Sequence, residues 1–152
     1  MKVIIYTNEL GGVSVCAPTG ELDIEAVKVK DTPEGSIIVD ASSLPNHEND
    51  FFNAWELDGE TVVVNIDKAK AITKDRLRAE RAPLLAALDV AFQRALESGS
   101  DTAAIVTEKQ RLRDITNQVN ACTTTDELKA LSCAAPAPAS VVESIPAPEG
   151  EA

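Results

Sequence analysis

His47 is the only histidine in the 152-residue chain and the first candidate for acid–base chemistry. Asp50 and Cys16 are the residues with which it could act as a base. It lies, however, in a polar, proline-containing stretch, residues 41–49, whose composition is typical of a loop. We therefore expect a solvated loop histidine rather than a catalytic one.

Four carboxylates could gather around a hard cation, and they are Asp40, Glu48, Asp50 and Asp58. Their spacing does not match a calcium-binding loop. The glycine-containing turns form neither a GxGxxG nor a GxxxxGK phosphate-binding motif, and no serine lies in a GxSxG nucleophile elbow. The sequence thus offers no catalytic set, metal site or cofactor site and no small-molecule substrate, and we expect a protein that is not an enzyme.

The net charge of −11 is unevenly distributed along the chain. Residues 1–60 contain three Lys and no Arg against twelve acidic residues, whereas residues 61–133 contain eleven basic and ten acidic residues. An acidic N-terminal half repels phosphate groups, which disfavours duplex nucleic acid as its partner.

The cysteines indicate a reducing compartment. Cys16, Cys122 and Cys133 are odd in number and widely spaced, a pattern that favours free thiols over a disulfide framework. The apolar run after Lys2 is too short for a signal peptide, and no run is long enough to span a membrane. We expect a soluble protein made in the cytoplasm.

Residues 67–119 predict two helices joined by a tight turn at residues 98–100. Apolar side chains recur at spacings of three, four or seven, which is typical of a core-facing stripe. The stripe consists of Leu77, Leu84, Leu88, Phe92 and Ala95 on the first helix and Ile105, Leu112, Ile115 and Val119 on the second. A turn this short makes the helices antiparallel, so the expected facing pairs are Leu88 with Leu112, Leu85 with Ile115 and Phe92 with Glu108.

The ends of these helices are marked by local signals. Asn65 or Asp67 is the expected N-cap of the first helix, Gly99 suits its C-terminal end, and Asp101 can cap the second helix. Pro83 lies inside the first helical pattern and should either kink the helix or begin a new one. A short helix at residues 126–132, capped by Thr124 or Thr125, should follow.

Arg76, Arg78 and Arg81 define a basic ridge on the first helix, and Lys109, Arg111 and Arg113 lie on the second. One interpretation is a solvated face with pairs such as Arg76–Glu80. Another is an electropositive surface for an acidic protein, including the N-terminal half of a second copy. Nucleic acid is disfavoured, since no aromatic residue interleaves the cations for base stacking.

The first 65 residues predict a small mixed β-sheet, with strands at 2–7, 13–17, 36–40 and 60–65 and a helix at 22–30. Phe51, Phe52 and Trp55 follow the third strand. These rings either form the core of this subdomain or expose a partner-binding aromatic patch.

Residues 134–152 are rich in Pro and Ala and carry only acidic charges. Such a composition cannot bury enough apolar surface to offset the cost of ordering, and on its own it predicts an extended segment. Val141, Val142 and Ile145 are its large apolar residues and hence its candidate partner contacts.

Two stretches together carry a resemblance over about half of the chain. Residues 28–59 are similar to an N-terminal module of small proteins encoded among the tail genes of tailed bacteriophages and prophages. The matching positions are Lys30, Asp31, Pro33, Gly35, Ile38, Val39, Asp40, Leu44, Pro45, Phe52, Ala54 and Trp55. Residues 75–97 and 108–116 resemble the helical hairpin of the same proteins. The resemblance implies a role in the phage tail or its fibres.

We therefore expect an α+β protein with three parts: a small subdomain (1–65), a helical hairpin with a short helix (66–133), and an extended tail (134–152). The expected function is that of a non-enzymatic phage tail accessory protein, found in the virion tail if it is structural. It should form a homo-oligomer and bind other tail or tail-fibre proteins. The alternatives are a transient chaperone of tail-fibre assembly and a nucleic-acid-binding regulator.

Overall fold

The computed structural model of the protein describes residues 1–134. Its first sheet has three antiparallel strands in the order β2-β1-β3, with β1 at Lys2–Thr7, β2 at Val13–Cys16 and β3 at Ile37–Asp40. The central position of β1 explains its β-branched sequence, because Val3, Ile4 and Ile5 are all buried. Between β1 and β2 the Asn8 side chain accepts hydrogen bonds from the backbone N–H groups of Leu10 and Gly12, which fixes the turn.

Helix α1 (Ile24–Asp31) connects β2 to β3 and buries only Val27. A run of 3₁₀ turns at Asn46–Ala54 then leads into a hairpin of β4 (Trp55–Asp58) and β5 (Thr61–Val64), whose turn contains Gly59 at φ 62°. The Trp55 side chain packs with Val3, Ile5, Val13 and Val62 in the core between this hairpin and the first sheet.

Helix α2 (Ile66–Ser98) has 33 residues, which corresponds to a length of about 50 Å. Asn65 caps it by accepting from the N–H groups of Asp67 and Lys68, and Gly99 ends it in the left-handed conformation at φ 71°. Helix α3 (Ala103–Gln118) returns antiparallel to it, and the Asp101 carboxylate accepts from the Ala103 N–H. Helix α4 (Thr125–Ala130) follows, capped by Thr124.

The α+β class, the hairpin, its turn at Gly99 and the short last helix are as predicted. Two details differ. The strands form two antiparallel sheets instead of one mixed sheet, because residues 55–58 pair with β5 as a strand that the sequence did not indicate. Helix α2 also runs through Pro83 as one helix, so no new helix begins there.

A second core joins the helices to the 3₁₀ segment. Its buried side chains include those of Phe51, Ala54, Leu77, Leu112 and Ile115. Phe51 therefore belongs to the helical core, Trp55 belongs to the core of the sheets, and Phe52 is 40% exposed, with its ring centroid 4.9 Å from that of Trp55. The three rings therefore lie in two different cores and at the surface. They do not form the single aromatic core of the N-terminal subdomain that was one of the two expectations.

Candidate functional site

The apolar stripe of the hairpin is buried only near its base. Leu77, Leu112 and Ile115 are fully enclosed, and Leu88 is half-buried. Leu84, which the sequence placed in the same stripe, is 41% exposed, and its neighbour Leu85 packs on the core instead. Successive helical residues are about 100° apart around the helix axis, so with Leu85 on the core, as its predicted pairing with Ile115 requires, Leu84 is turned towards the side of the helix.

The end of the hairpin that lies farthest from the core forms an arm, which we define as residues 89–111. No residue in this arm is buried. Phe92, Ala95 and Ile105 are half-buried between the helices, while Leu96 and Val106 are 55% and 49% exposed. Lys109 lies over the Phe92 ring at 5.2 Å from its centroid and forms an ion pair with Asp89. Phe92 thus faces Lys109, one position away from the Glu108 that the sequence predicted.

Arg76, the first arginine of the basic ridge, connects two segments of the protein. Its guanidinium contacts the Glu80 carboxylate at 2.7 Å and donates to the carbonyl oxygens of Leu128 and Leu131 at 3.1 and 2.8 Å. These two carbonyls lie in α4 and just beyond its end, so Arg76 fastens the C-terminal helix to α2. The predicted Arg76–Glu80 pair is present, and it serves as one side of this clamp.

The other two arginines of the ridge also have partners within the chain. Arg78 pairs with Asp75 at 2.8 Å on the exposed side of α2, and Arg81 donates to the Arg113 carbonyl oxygen of α3 at 3.1 Å. Each of the three arginines of the ridge therefore donates to an acceptor within the same molecule.

Arg111 forms a second clamp on the C-terminal segment. It holds Glu108 through two hydrogen bonds of 2.9 and 2.6 Å and donates to the Cys133 carbonyl oxygen at 3.0 Å. The hydrogen bonds from Arg111 lower the pKa of Glu108. The Cys133 N–H in turn donates to Glu80 at 3.2 Å, and this bond, together with Arg76, lowers the pKa of Glu80.

Cys133 itself is buried, and its thiol donates to the Leu77 carbonyl oxygen at 3.3 Å. Burial and the nearby Glu80 charge raise the pKa of this thiol, so at neutral pH it stays protonated. The residue acts as an anchor for the segment that follows α4.

A second contact holds α4 through a buried carboxylate, and we call this contact of Glu48 with Thr125 and Lys129 the latch. Glu48 is 7% exposed and accepts a hydrogen bond of 2.6 Å from the Thr125 hydroxyl. Its Oε2 atom has no hydrogen bond of good geometry, but the Lys129 ammonium lies 3.0 Å away, close enough for an ion pair. Burial alone would raise the pKa of Glu48, yet the contacts with Thr125 and Lys129 outweigh it, and the net pKa is lowered.

Among residues 1–134, no group of three or more His, Cys, Asp or Glu side chains is arranged to hold a metal ion. His47 lies at the surface beside Glu48, with 80% of its side chain exposed. No helix of this part of the chain is both long and apolar enough to cross a membrane. Val141, Val142 and Ile145 lie outside the described residues.

The sequence indicated the basic ridge, but it did not indicate the clamps formed by Arg76 and Arg111 or the latch formed by Glu48. No local pattern shows that residues 125–133 fold back onto α2. Arg76 donates to carbonyl groups 52 and 55 positions away in the sequence, and Thr125 donates to a carboxylate 77 positions away. Only the Arg76–Glu80 pair was predicted, and the spacing of Glu108 and Arg111, which is also typical of pairs within one helix, is the signal that could have indicated the second clamp.

The Arg76 clamp can be tested by replacement with lysine, which keeps the charge but cannot reach Glu80 and both carbonyls together. We expect Arg76→Lys to lower the free energy of unfolding by about 1–3 kcal/mol, since two partly buried carbonyls lose their donor. Arg78→Lys is the matched control, and the exposed Arg78–Asp75 pair should contribute less than about 1 kcal/mol. Urea denaturation measures both, and equal losses would show that Arg76 does not clamp α4.

Comparison of the chain with protein-family models, with curated proteins and with solved structures gave no match.

Proposed function

We propose that this protein is a non-enzymatic accessory protein of a phage tail, which associates with copies of itself through the arm of its helical hairpin. The tail context rests on the resemblance of residues 28–59, 75–97 and 108–116. As a virion component or adaptor it would be made in the host cytoplasm and contact other tail or tail-fibre proteins.

The observation that supports self-association is the arm, residues 89–111. It projects from the core without one buried residue, yet it carries apolar side chains along both helices. A two-helix unit of this kind gains little from its own packing, because short helices in water depend on burial of their apolar face. A second copy that covers Leu96 and Val106 supplies the missing burial.

The charge distribution fits contact with protein better than contact with nucleic acid. The three arginines of the ridge are bound to acceptors of the same chain, and residues 1–60 are strongly acidic. Both features lower the attraction for phosphate groups.

Light scattering of the purified chain tests self-association, and we expect an oligomer. Leu96→Glu combined with Val106→Glu should convert it to a monomer, because two charges would then be buried at the contact. Val29→Glu, at an 85% exposed position of α1, is the matched control and should leave the oligomer intact. A wild-type chain that is monomeric at every concentration would refute association through the arm.

Mass spectrometry of purified virions tests the tail role. We expect the protein to be retained in the particle at a fixed ratio to other tail proteins. Absence from particles, together with a requirement for the protein during fibre assembly, would contradict a structural role and favour a transient assembly chaperone.

A further inference from the structure

An apolar groove runs along one side of the hairpin, between α2 and α3. Leu84, Ala87 and Leu88 form one wall, and Leu112 forms the other. Its volume is about 280 Å³. The groove explains why Leu84 is exposed although it belongs to the apolar pattern of α2, since Leu84 lies on the rim and not between the helices.

Among residues 1–134, the groove is lined by one charged side chain, that of Glu108. Both oxygens of this carboxylate are held by Arg111, at 2.9 and 2.6 Å. The charge is thus neutralised within the protein, and the chemistry that remains favours an apolar occupant.

The course of the chain points to the identity of that occupant. Cys133 and Ala134 line the groove at the point where the described residues end. Cys133 is fixed by its thiol on Leu77, its N–H on Glu80 and its carbonyl oxygen on Arg111. The described part of the chain therefore ends at the groove, in a position set by the clamps.

The sequence beyond this point has the composition that the groove requires. Residues 135–152 include three large apolar side chains, Val141, Val142 and Ile145. A peptide of seven residues spans up to about 25 Å, so Val141 can reach any part of the groove from Ala134. Attachment to the same chain also gives the segment an effective concentration on the order of millimolar, which a second copy in dilute solution does not match.

We propose that residues 135–152 dock back into the groove between α2 and α3, where Val141, Val142 and Ile145 cover Leu84 and Leu88. The composition of residues 135–152 predicts that they bury little apolar surface among themselves, and the groove offers them an apolar surface. The inference does not depend on the proposed function, because Leu84 and Leu88 lie outside the arm and the contact is within one molecule.

Methyl NMR of the full chain tests this contact. Replacing Val141, Val142 and Ile145 with serine should shift the methyl signals of Leu84, Leu88 and Leu112 by the same amount at every protein concentration. The matched control replaces Ala137, Ala139 and Ala147 with serine, which changes as many tail positions without removing a large apolar side chain. This control should leave the three leucine signals in place.

The reciprocal variant Leu84→Ser changes an exposed position and should shift the methyl signals of Val141 and Val142. The proposal is overturned if the leucine signals are the same in the full chain and the tail variant. It is equally overturned if they differ only as the protein concentration rises, because the occupant is then a second copy. Oligomer formation measured by light scattering is a separate readout, so failure here is distinguishable from failure of the proposed function.

Discussion

Replacing Leu112 with alanine should lower the free energy of unfolding by about 2–5 kcal/mol, the range for a large-to-small change that leaves a cavity in a packed core. Leu112 is 1% exposed and lies in the cluster that joins α2, α3 and the 3₁₀ segment. The cavity would open where the helices meet the N-terminal half, so little relaxation is available. This is the largest effect that we expect from a single change.

Urea denaturation followed by circular dichroism measures the loss. The same substitution at Leu10, which is 92% exposed in the first hairpin turn, is the control and should change stability by no more than about 0.5 kcal/mol. A loss below about 1 kcal/mol for Leu112→Ala would mean that this cluster is not the core of the protein.

The features that the sequence predicted are those set by neighbouring residues. Asn65, Gly99 and Thr124 each act on backbone groups within a few positions, so the ends of α2 and the start of α4 could be read directly. The antiparallel hairpin followed from the short turn between two amphipathic stretches. These signals do not depend on the remainder of the fold.

The features that the sequence did not predict depend on contacts between distant residues. Glu48 lies in a stretch that the sequence predicted to be a polar loop, and it is buried where Thr125 and Lys129 are brought to it by α4. Leu84 and Leu85 were both expected to face the second helix, and the crossing of α2 and α3 leaves only Leu85 packed on the core. Local periodicity alone does not decide between two adjacent leucines.

The latch between Glu48 and Lys129 leads to the second large effect. Lys129→Met removes the ammonium but leaves the carboxylate enclosed, and a buried charge without its partner is costly. We expect a loss of about 1–3 kcal/mol near neutral pH, because the Thr125 hydroxyl remains as a donor. Lys68→Met breaks the more exposed pair with Glu56 and should cost less than about 1 kcal/mol.

The stability lost in Lys129→Met should depend on pH, and the pKa of Glu48 sets the direction of this dependence. Its pKa in the folded protein lies below the ordinary value of 4.5, so the latch is fully present above that value and is lost as pH falls through the folded pKa. In Lys129→Met the stabilising contact with the ammonium is gone while burial remains, and the pKa of Glu48 should rise. The difference in the free energy of unfolding between the wild-type protein and Lys129→Met should therefore become smaller as the pH is lowered.

Adding Glu48→Gln to Lys129→Met gives the decisive comparison. Glutamine keeps a hydrogen-bond acceptor for Thr125 but carries no charge, so the double variant should regain part of the stability lost near neutral pH. Its remaining deficit should also be less dependent on pH, because the buried carboxylate is gone. Denaturation curves at several pH values measure both. If the double variant is less stable than Lys129→Met alone, Glu48 stabilises the fold without Lys129, and the two residues do not act as one latch.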